Sequence, residues 1–520
     1  MIEKEKRILL FSFLVILLTS LFFCLKKQGL FTDEIYTFGL ANSYFTPYIQ
    51  DIYGGNLIDK IVVSADLFNY ITVGLDERFR FDSVFYNQGF DTLPPLYYCL
   101  IHFLCSLFPE TFSKWFGLSI NLLLYLACLV MLYKLCNKIF DDSCSSLLAV
   151  IFYGLSTIGM STMLMIRMYI LLTFLTILLA YFSIKLIEKP NIKNCAIISL
   201  LHYFGMMTHY YYGIYAFFLF LICVYHLTKK KQYRFISLYF FFNALGFILF
   251  LVSFPAFLTQ LFAPKLVSGH TAFSNLLTLS SYNNIITYFL IYISQTLPML
   301  IFIFLLIILW YFKKKKTLLT DQIKCYYNIV TIPAIMAVFL VSVISPIVAE
   351  RYIFNLAPIL CLLVAREFKI IRLIDSGLFR LRYNTVSLIL FANILFLFFN
   401  PPSFLYPQMP KVNEMLKMYS QNPCIFVDNN YSSPLTENLL QLMLFKDFIV
   451  VNDINSKNMK AYIQEKQHNE NVVLYIDTNR FFSSGYNSKD ILDNIRNSSE
   501  YKNHKYLYSN YSVDVYVLNK

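Results

Sequence analysis

Two adjacent carboxylates, Asp33 and Glu34 in Thr32-Asp33-Glu34-Ile35-Tyr36, follow the first apolar run of the chain almost at once. A carboxylate within hydrogen-bond reach of an acceptor hydroxyl can take its proton, and a neighbouring acid can orient substrate or hold a cation. The plainer alternative for such a pair is a solvated loop start or a helix cap. A third acid, Asp91, stands in Asn87-Gln88-Gly89-Phe90-Asp91-Thr92-Leu93-Pro94-Pro95-Leu96-Tyr97-Tyr98. The two prolines there suit the first turn of a helix, which Asp91 can cap.

Two arginines lie among apolar and aromatic residues, Arg167 in Met165-Ile166-Arg167-Met168-Tyr169 and Arg351 in Glu350-Arg351-Tyr352. A guanidinium presents a planar fork of donors, so two of them reaching one cavity suit a phosphate or diphosphate. Snorkelling to lipid headgroups is the alternative for either one alone. His209, in Thr208-His209-Tyr210-Tyr211-Tyr212-Gly213, can donate to a leaving phosphate, and His202 shares its helix face seven residues earlier. A satisfied buried histidine is the bland reading of both, and His102 is a weaker candidate. The 11 cysteines form neither a metal-type spacing nor a disulfide framework.

The elements that position these residues must be membrane-built. Of 520 residues 58% are hydrophobic and 14% charged, a balance that excludes an ordinary water-soluble chain. No carboxylate occurs between Glu188 and Asp321, as expected where an unpaired ion is expensive to bury. Apolar runs predict about 11 spans, near 8–25, 115–135, 144–159, 163–187, 194–207, 209–228, 235–254, 286–312, 325–344, 351–366 and 383–400.

With the N-terminus inside, 22 of the 31 basic residues before position 401 fall on the cytoplasmic side. They include Lys134/Lys138, Lys185/Lys189/Lys193, Lys229–Lys231, Lys313–Lys316 and Arg366 to Arg382. Lys26 and Lys27 dissent. The same count makes 94–108 a helix lying in the outer interface, with Tyr98, His102 and Ser106 as a polar stripe. All the chemistry-bearing residues then fall on the outer side, under a topology drawn from lysines that belong to none of them.

The expected organisation is a mainly α, polytopic transmembrane bundle over 1–400, including a first outer loop at 26–114, followed by a small extracytoplasmic α/β domain over 401–520. The tail holds 12 basic and 12 acidic residues, so the net charge of +12 belongs to the membrane part, and no nucleic-acid partner is expected. Strands are predicted at Cys424–Val427, Phe448–Val451, Val472–Ile476 and Val515–Leu518, with helices at 434–445 and 487–497. Without a Gly-rich phosphate loop, this domain has a packing or acceptor-recognition role.

The order of these landmarks over residues 5–400 resembles the GT-C superfamily of polyprenol-phosphate-dependent glycosyltransferases, in particular the protein O-mannosyltransferase and aminoarabinose transferase group. That family's first outer loop opens with an acidic pair, as Asp33-Glu34 does here. Its Asp-x-His-Pro-Pro-Leu segment is similar to Asp91-Thr92-Leu93-Pro94-Pro95-Leu96, with Leu93 in place of the histidine. Arg167-Met168-Tyr169, Thr208-His209-Tyr210 and Arg351-Tyr352 match further elements.

The resemblance implies an inverting transfer in which Asp33 deprotonates an acceptor hydroxyl while the polyprenyl phosphate leaves. Arg167, Arg351 and His209 offset charge on that phosphate. Asp91, Tyr97, Tyr169, Tyr210 and Tyr352 are the expected substrate contacts, and Glu34 is catalytic beside Asp33. A divalent cation, if used, falls to Glu34 or Asp91. The expected partners are a polyprenyl-phosphate-linked sugar, a lipid, glycan or protein acceptor, and membrane lipids. The expected location is a bacterial inner (plasma) membrane. A flippase or exporter of lipid-linked saccharides, and a membrane-anchored binding or sensory protein, are the competing readings.

Overall fold

A computed structural model describes residues 2–262, 267–313, 319–374, 383–428, 432–452, 457–465, 470–478, 487–510 and 512–520. The chain divides into two compact units. The first comprises Met1–Lys26, Asp91–Tyr97 and Gly117–Phe404, and the second Lys27–Phe90, Tyr98–Phe116 and Leu405–Lys520. The first outer segment thus groups largely with the tail.

The first unit is helical. Among the described residues, seven helices are long and apolar enough to cross a membrane, or eight if the bent pair Ser143–Gly154 and Thr157–Leu164 is one span, beside the 11 or so apolar runs of the sequence. The difference between the two counts has local causes. The run 144–159 breaks by 60° because Ser156 caps a new helix, its side chain accepting from the Gly159 amide at 3.0 Å. The run 351–366 is split into Glu350–Ile353, Ala357–Leu360 and Leu362–Ile374, with Pro358 opening the second piece. The runs 194–207 and 383–400 become helices of 15 and 17 residues, Ile192–Met206 and Tyr383–Phe399.

One end of this unit gathers several of the basic clusters. Lys138 pairs with Glu188 at 2.6 Å, the Lys230 ammonium donates to the Ile187 carbonyl at 2.6 Å, and Arg372 pairs with Asp142. The helix Tyr169–Glu188 runs from that end over 20 residues, so Tyr169 lies about 30 Å away at the other. The predicted basic positions 314–316 and 375–382 lie outside the described residues.

The second unit is built on a six-stranded sheet in the order β1-β3-β2-β4-β6-β5. Its strands are β1 (Lys60–Val63), β2 (Cys424–Val427), β3 (Asp447–Val451), β4 (Asn471–Asp477), β5 (Asn503–Ser509) and β6 (Val513–Asn519). The central strand β2 runs parallel to β3 and β4, while β1 and β6 pair antiparallel with β3 and β4. β2, β3 and β4 are buried on both faces, which is why they read as continuous apolar runs. One face packs Ile425, Ile449, Leu474 and Ile476 with residues of the helices Lys457–Glu465 and Ser488–Ser498. The other stacks Phe426 on Tyr475 with ring centroids 5.8 Å apart.

The strand β1 comes from the first outer segment, with Val62 opposite Phe448, and the sequence reading did not include it. The helix expected at 434–445 forms as two short pieces, Ser432–Glu437 and Leu439–Leu442. The helix expected at 94–108 spans Leu96–Leu107. Tyr98, His102 and Ser106 are buried, while Phe103, Leu107 and Phe108 are exposed. Ser106 serves a neighbouring turn, its hydroxyl accepting from the Phe79 amide at 3.0 Å and its carbonyl from Arg78 at 2.7 Å.

Because Val62 is fully buried, Val62→Asp removes apolar burial and places a charge in the sheet core. It is expected to destabilise the second unit by about 3 kcal/mol, read as earlier proteolysis of the tail during thermal unfolding.

Candidate active site

In the second unit the chain leaves Lys27 and enters the helix Thr32–Asn42 with Asp33 and Glu34 in its first turn, where negative charge is favoured by the exposed amides. The two acids have different surroundings. Glu34 is fully buried, and its Oε2 accepts from the Phe31 amide at 2.6 Å and from the Lys27 ammonium at 2.9 Å. It therefore caps the helix and neutralises the dissenting Lys27. Asp33 is only partly buried, and its main-chain carbonyl accepts from the Thr37 hydroxyl at 2.9 Å.

The approach to this helix is also fixed. The Lys27 ammonium sits 5.6 Å from the Tyr406 ring centroid, Lys114 bonds the Lys27 carbonyl, and the Gln28 amide donates to the Leu405 carbonyl at 2.7 Å. A Cβ at Gly29 would come within 2.7 Å of Tyr406 Cβ, so the strap passes its neighbour at a distance only glycine allows.

In the first unit, a chain of hydrogen bonds places Arg167. The Tyr97 hydroxyl donates to Asn121 Oδ1 at 2.6 Å, and Asn121 Nδ2 donates to the carbonyls of Met163 and Met165 at 3.0 and 2.6 Å. A Cβ at Gly117 would lie 2.0 Å from Ile166 Cγ2, so the helix Lys114–Phe140 presses directly on the segment before Arg167. Arg167 is 7% exposed and precedes Tyr169, which opens its helix.

His209 occupies the turn between the helices Ile192–Met206 and Tyr211–Lys229, outside both. Its ring is 5.6 Å from Tyr169 and 4.9 Å from Tyr211, and Tyr211 lies 5.4 Å from Tyr352. Arg351 stacks over Tyr352 at 5.2 Å. Burial first, and then the positive charges of Arg167 and Arg351, push the His209 pKa down to about 3. His209 Nδ1 accepts from the Tyr211 amide at 3.0 Å, so the neutral ring carries its proton on Nε2. Two guanidiniums from distant parts of the chain thus act on one neutral imidazole.

Asp91 and Tyr210 form an adjoining group. The Leu96 amide donates to the Met207 carbonyl at 3.0 Å, tying the proline segment to the His209 turn. The Tyr210 hydroxyl bonds buried Gln260, and its pKa is raised, chiefly by burial and then by the charge of Asp91.

Arg167, Tyr169, His209, Arg351 and Tyr352 therefore come together, with Asp91 and Tyr210 beside them, while Tyr97 braces the scaffold through Asn121. Asp33 and Glu34 belong to the second unit. The sequence reading did not single out Asn121, Tyr211 or Gln260 as site residues. Only Tyr211 had a signal, its place in the Tyr210–Tyr212 run after His209. Among the described residues, no group of three or more His, Cys, Asp or Glu side chains is placed to hold a metal ion. The engagement of Glu34 Oε2 with Lys27 and the Phe31 amide does not favour it as a ligand.

Residues 92–257 match the family model described as dolichyl-phosphate-mannose-protein mannosyltransferase, a segment that includes Tyr97, Arg167, Tyr169, His209 and Tyr210. The matched segment covers under half of the chain. The chain is also similar to two crystal structures of ArnT from Cupriavidus metallidurans. The one bound to undecaprenyl phosphate is 10% identical, with a TM-score of 0.49 over 98% of this chain and 97% of that one. The apo structure is 11% identical, with a TM-score of 0.43 over 82% and 87%. No curated protein matches the sequence.

Removing one partner of the buried Lys27–Glu34 pair leaves an uncompensated charge. Lys27→Met is expected to cost about 3–5 kcal/mol, and Lys27→Met with Glu34→Gln, which keeps the cap, to cost clearly less. Thermal unfolding of both variants in detergent measures the difference.

Proposed function

We propose that this integral membrane protein transfers a sugar from a polyprenyl-phosphate donor to a hydroxyl acceptor on the outer face of a bacterial inner membrane. The observation that carries this reading is the cluster in which the His209 ring lies against Tyr169 and Tyr211, Tyr211 against Tyr352, and Arg351 over Tyr352, with Arg167 buried nearby. Positive charge that is buried at Arg167 and half-buried at Arg351, beside aromatic rings, suits a phosphate whose charge grows during reaction. The family match over residues 92–257 supports a donor of this class. The positive-inside count supports a reading with this end of the helices outside, the N-terminus cytoplasmic and the tail extracytoplasmic.

In the proposed reaction Asp33 accepts the proton of the acceptor hydroxyl, whose oxygen attacks the anomeric carbon from the face opposite the phosphate. The new glycosidic bond forms as the bond from that carbon to the phosphate oxygen breaks, inverting the configuration. The lipid phosphate leaves with one more negative charge, which Arg167, Arg351 and the His209 Nε2–H stabilise. Asp91, Tyr210, Tyr169 and Tyr352 contact the donor sugar, and Glu34 holds Asp33 in place through the helix start.

Asp33→Asn is expected to keep polyprenyl-phosphate binding and lose transfer by about 10³-fold or more, near the upper end for a general base. Arg167→Gln or Arg351→Gln is expected to weaken that binding about tenfold or more. Transfer of a radiolabelled sugar and retention of polyprenyl phosphate by the purified protein are the two readouts. Transfer undiminished in Asp33→Asn overturns the assignment of the base.

Because His209 is held neutral, its role is that of a hydrogen-bond donor. His209→Gln, which keeps an N–H, is expected to lose less than about tenfold in turnover, and His209→Ala about 10²-fold. The pH profile of transfer between 5 and 8 should contain no limb that disappears in His209→Gln.

A further inference from the structure

Beyond the residues assigned to the donor, the second unit contains a cleft of about 590 Å³ beside the helix that carries Asp33. Its volume lies within the range that holds a small-molecule ligand. One wall is the strap Gly29–Phe31 with Thr32 and Ile35. The other walls come from Tyr406 to Met409, from Glu437, Leu440 and Gln441, and from Ser509 and Asn510. The site is therefore made jointly by the first outer segment and the tail.

The lining has a defined chemistry. Thr32, Gln408, Glu437, Gln441, Ser509 and Asn510 supply hydroxyls, amides and one carboxylate, able both to donate and to accept. Tyr406 and Pro407 add apolar faces. Among the described residues the lining contains no lysine, arginine or histidine, in contrast to the Arg167–Arg351 cluster, so the cleft is unsuited to a phosphate. Several of its groups are held in place. Glu437 accepts from the Ser512 hydroxyl at 2.6 Å, and Asn510 Nδ2 donates to Asn438 Oδ1 at 2.9 Å. The glycine-only passage of the strap over Tyr406 fixes the remaining wall.

We infer that this cleft binds a neutral saccharide, the part of the acceptor remote from the reacting hydroxyl. Mixed donors and acceptors match vicinal hydroxyls, and the apolar faces match the C–H faces of sugar rings. The identification of this saccharide as acceptor rests on the transferase reading, whereas the binding itself does not.

The test uses the full-length protein in lipid nanodiscs, fluorescently labelled and applied to an array of neutral oligosaccharides, anionic oligosaccharides and serine/threonine peptides. Neutral oligosaccharides are expected to be captured. Ser509→Trp, at an exposed position on the rim, and Glu437→Gln are expected to reduce capture about tenfold or more. Retention of polyprenyl phosphate, measured on the same samples, is expected to be unchanged and shows that the variants are folded. Capture unaffected by both substitutions overturns the inference, as does capture confined to peptides or anionic glycans. Neutral-saccharide capture that the variants lose, in a protein that retains no polyprenyl phosphate, upholds the cleft and removes the transferase reading instead.

Discussion

The cost of placing positive charge in a poorly solvated helical body constrains much of this architecture. Arg167 is nearly buried, and with Arg351 it acts on an imidazole that burial already keeps neutral. Such an arrangement requires rigid surroundings, since a mobile site would let the charges separate or draw in water. The rigidity is visible in Asn121, which binds two carbonyls just before Arg167 while receiving Tyr97. It is visible again near Arg351, where the Tyr288 hydroxyl bonds the Ser345 side chain and receives the Ala349 amide.

The second unit handles charge in another way. Lys27 and Glu34 are both withdrawn completely from solvent and answer one another, so the helix start is held by a closed pair. Asp33, one residue away, is left partly accessible. Adjacent identical functional groups thereby differ in surroundings, one bracing the helix start and the other partly exposed. The same division appears among the tyrosines, where Tyr97 fixes a helix and Tyr352 stacks under a guanidinium.

Much of this was legible in the sequence, because membrane burial leaves a strong compositional trace and because isolated charges in apolar runs are rare. The strands β2, β3, β4 and β6 were legible as apolar runs between polar ones. The strand β1 was not, since Lys60-Ile61-Val62-Val63 is four residues long and its partner lies near the other end of the chain. The strand β5 is a largely exposed edge with His504, Lys505 and Tyr506, which carries no apolar alternation. Hydropathy marks apolar stretches without marking where they break, so some of the apolar runs are not long helices among the described residues. Ser156 and the turn at Glu350–Ile353 end helices through local hydrogen bonding. The role of Glu34 was hidden because its partner Lys27 read as an exception to the charge rule.

The pairing of β1 with β3 has a consequence for biosynthesis. The ribosome releases Lys60–Val63 early, yet the strand that completes this edge is made only after the last membrane helix. The early segment must therefore wait, with its amides unsatisfied by their final partner, while the membrane body is threaded into the bilayer. Contacts between such remote positions form slowly, because a long loop must close first. A nascent chain arrested before its tail emerges would present an incomplete sheet, giving quality-control proteases a means of telling finished molecules from truncated ones.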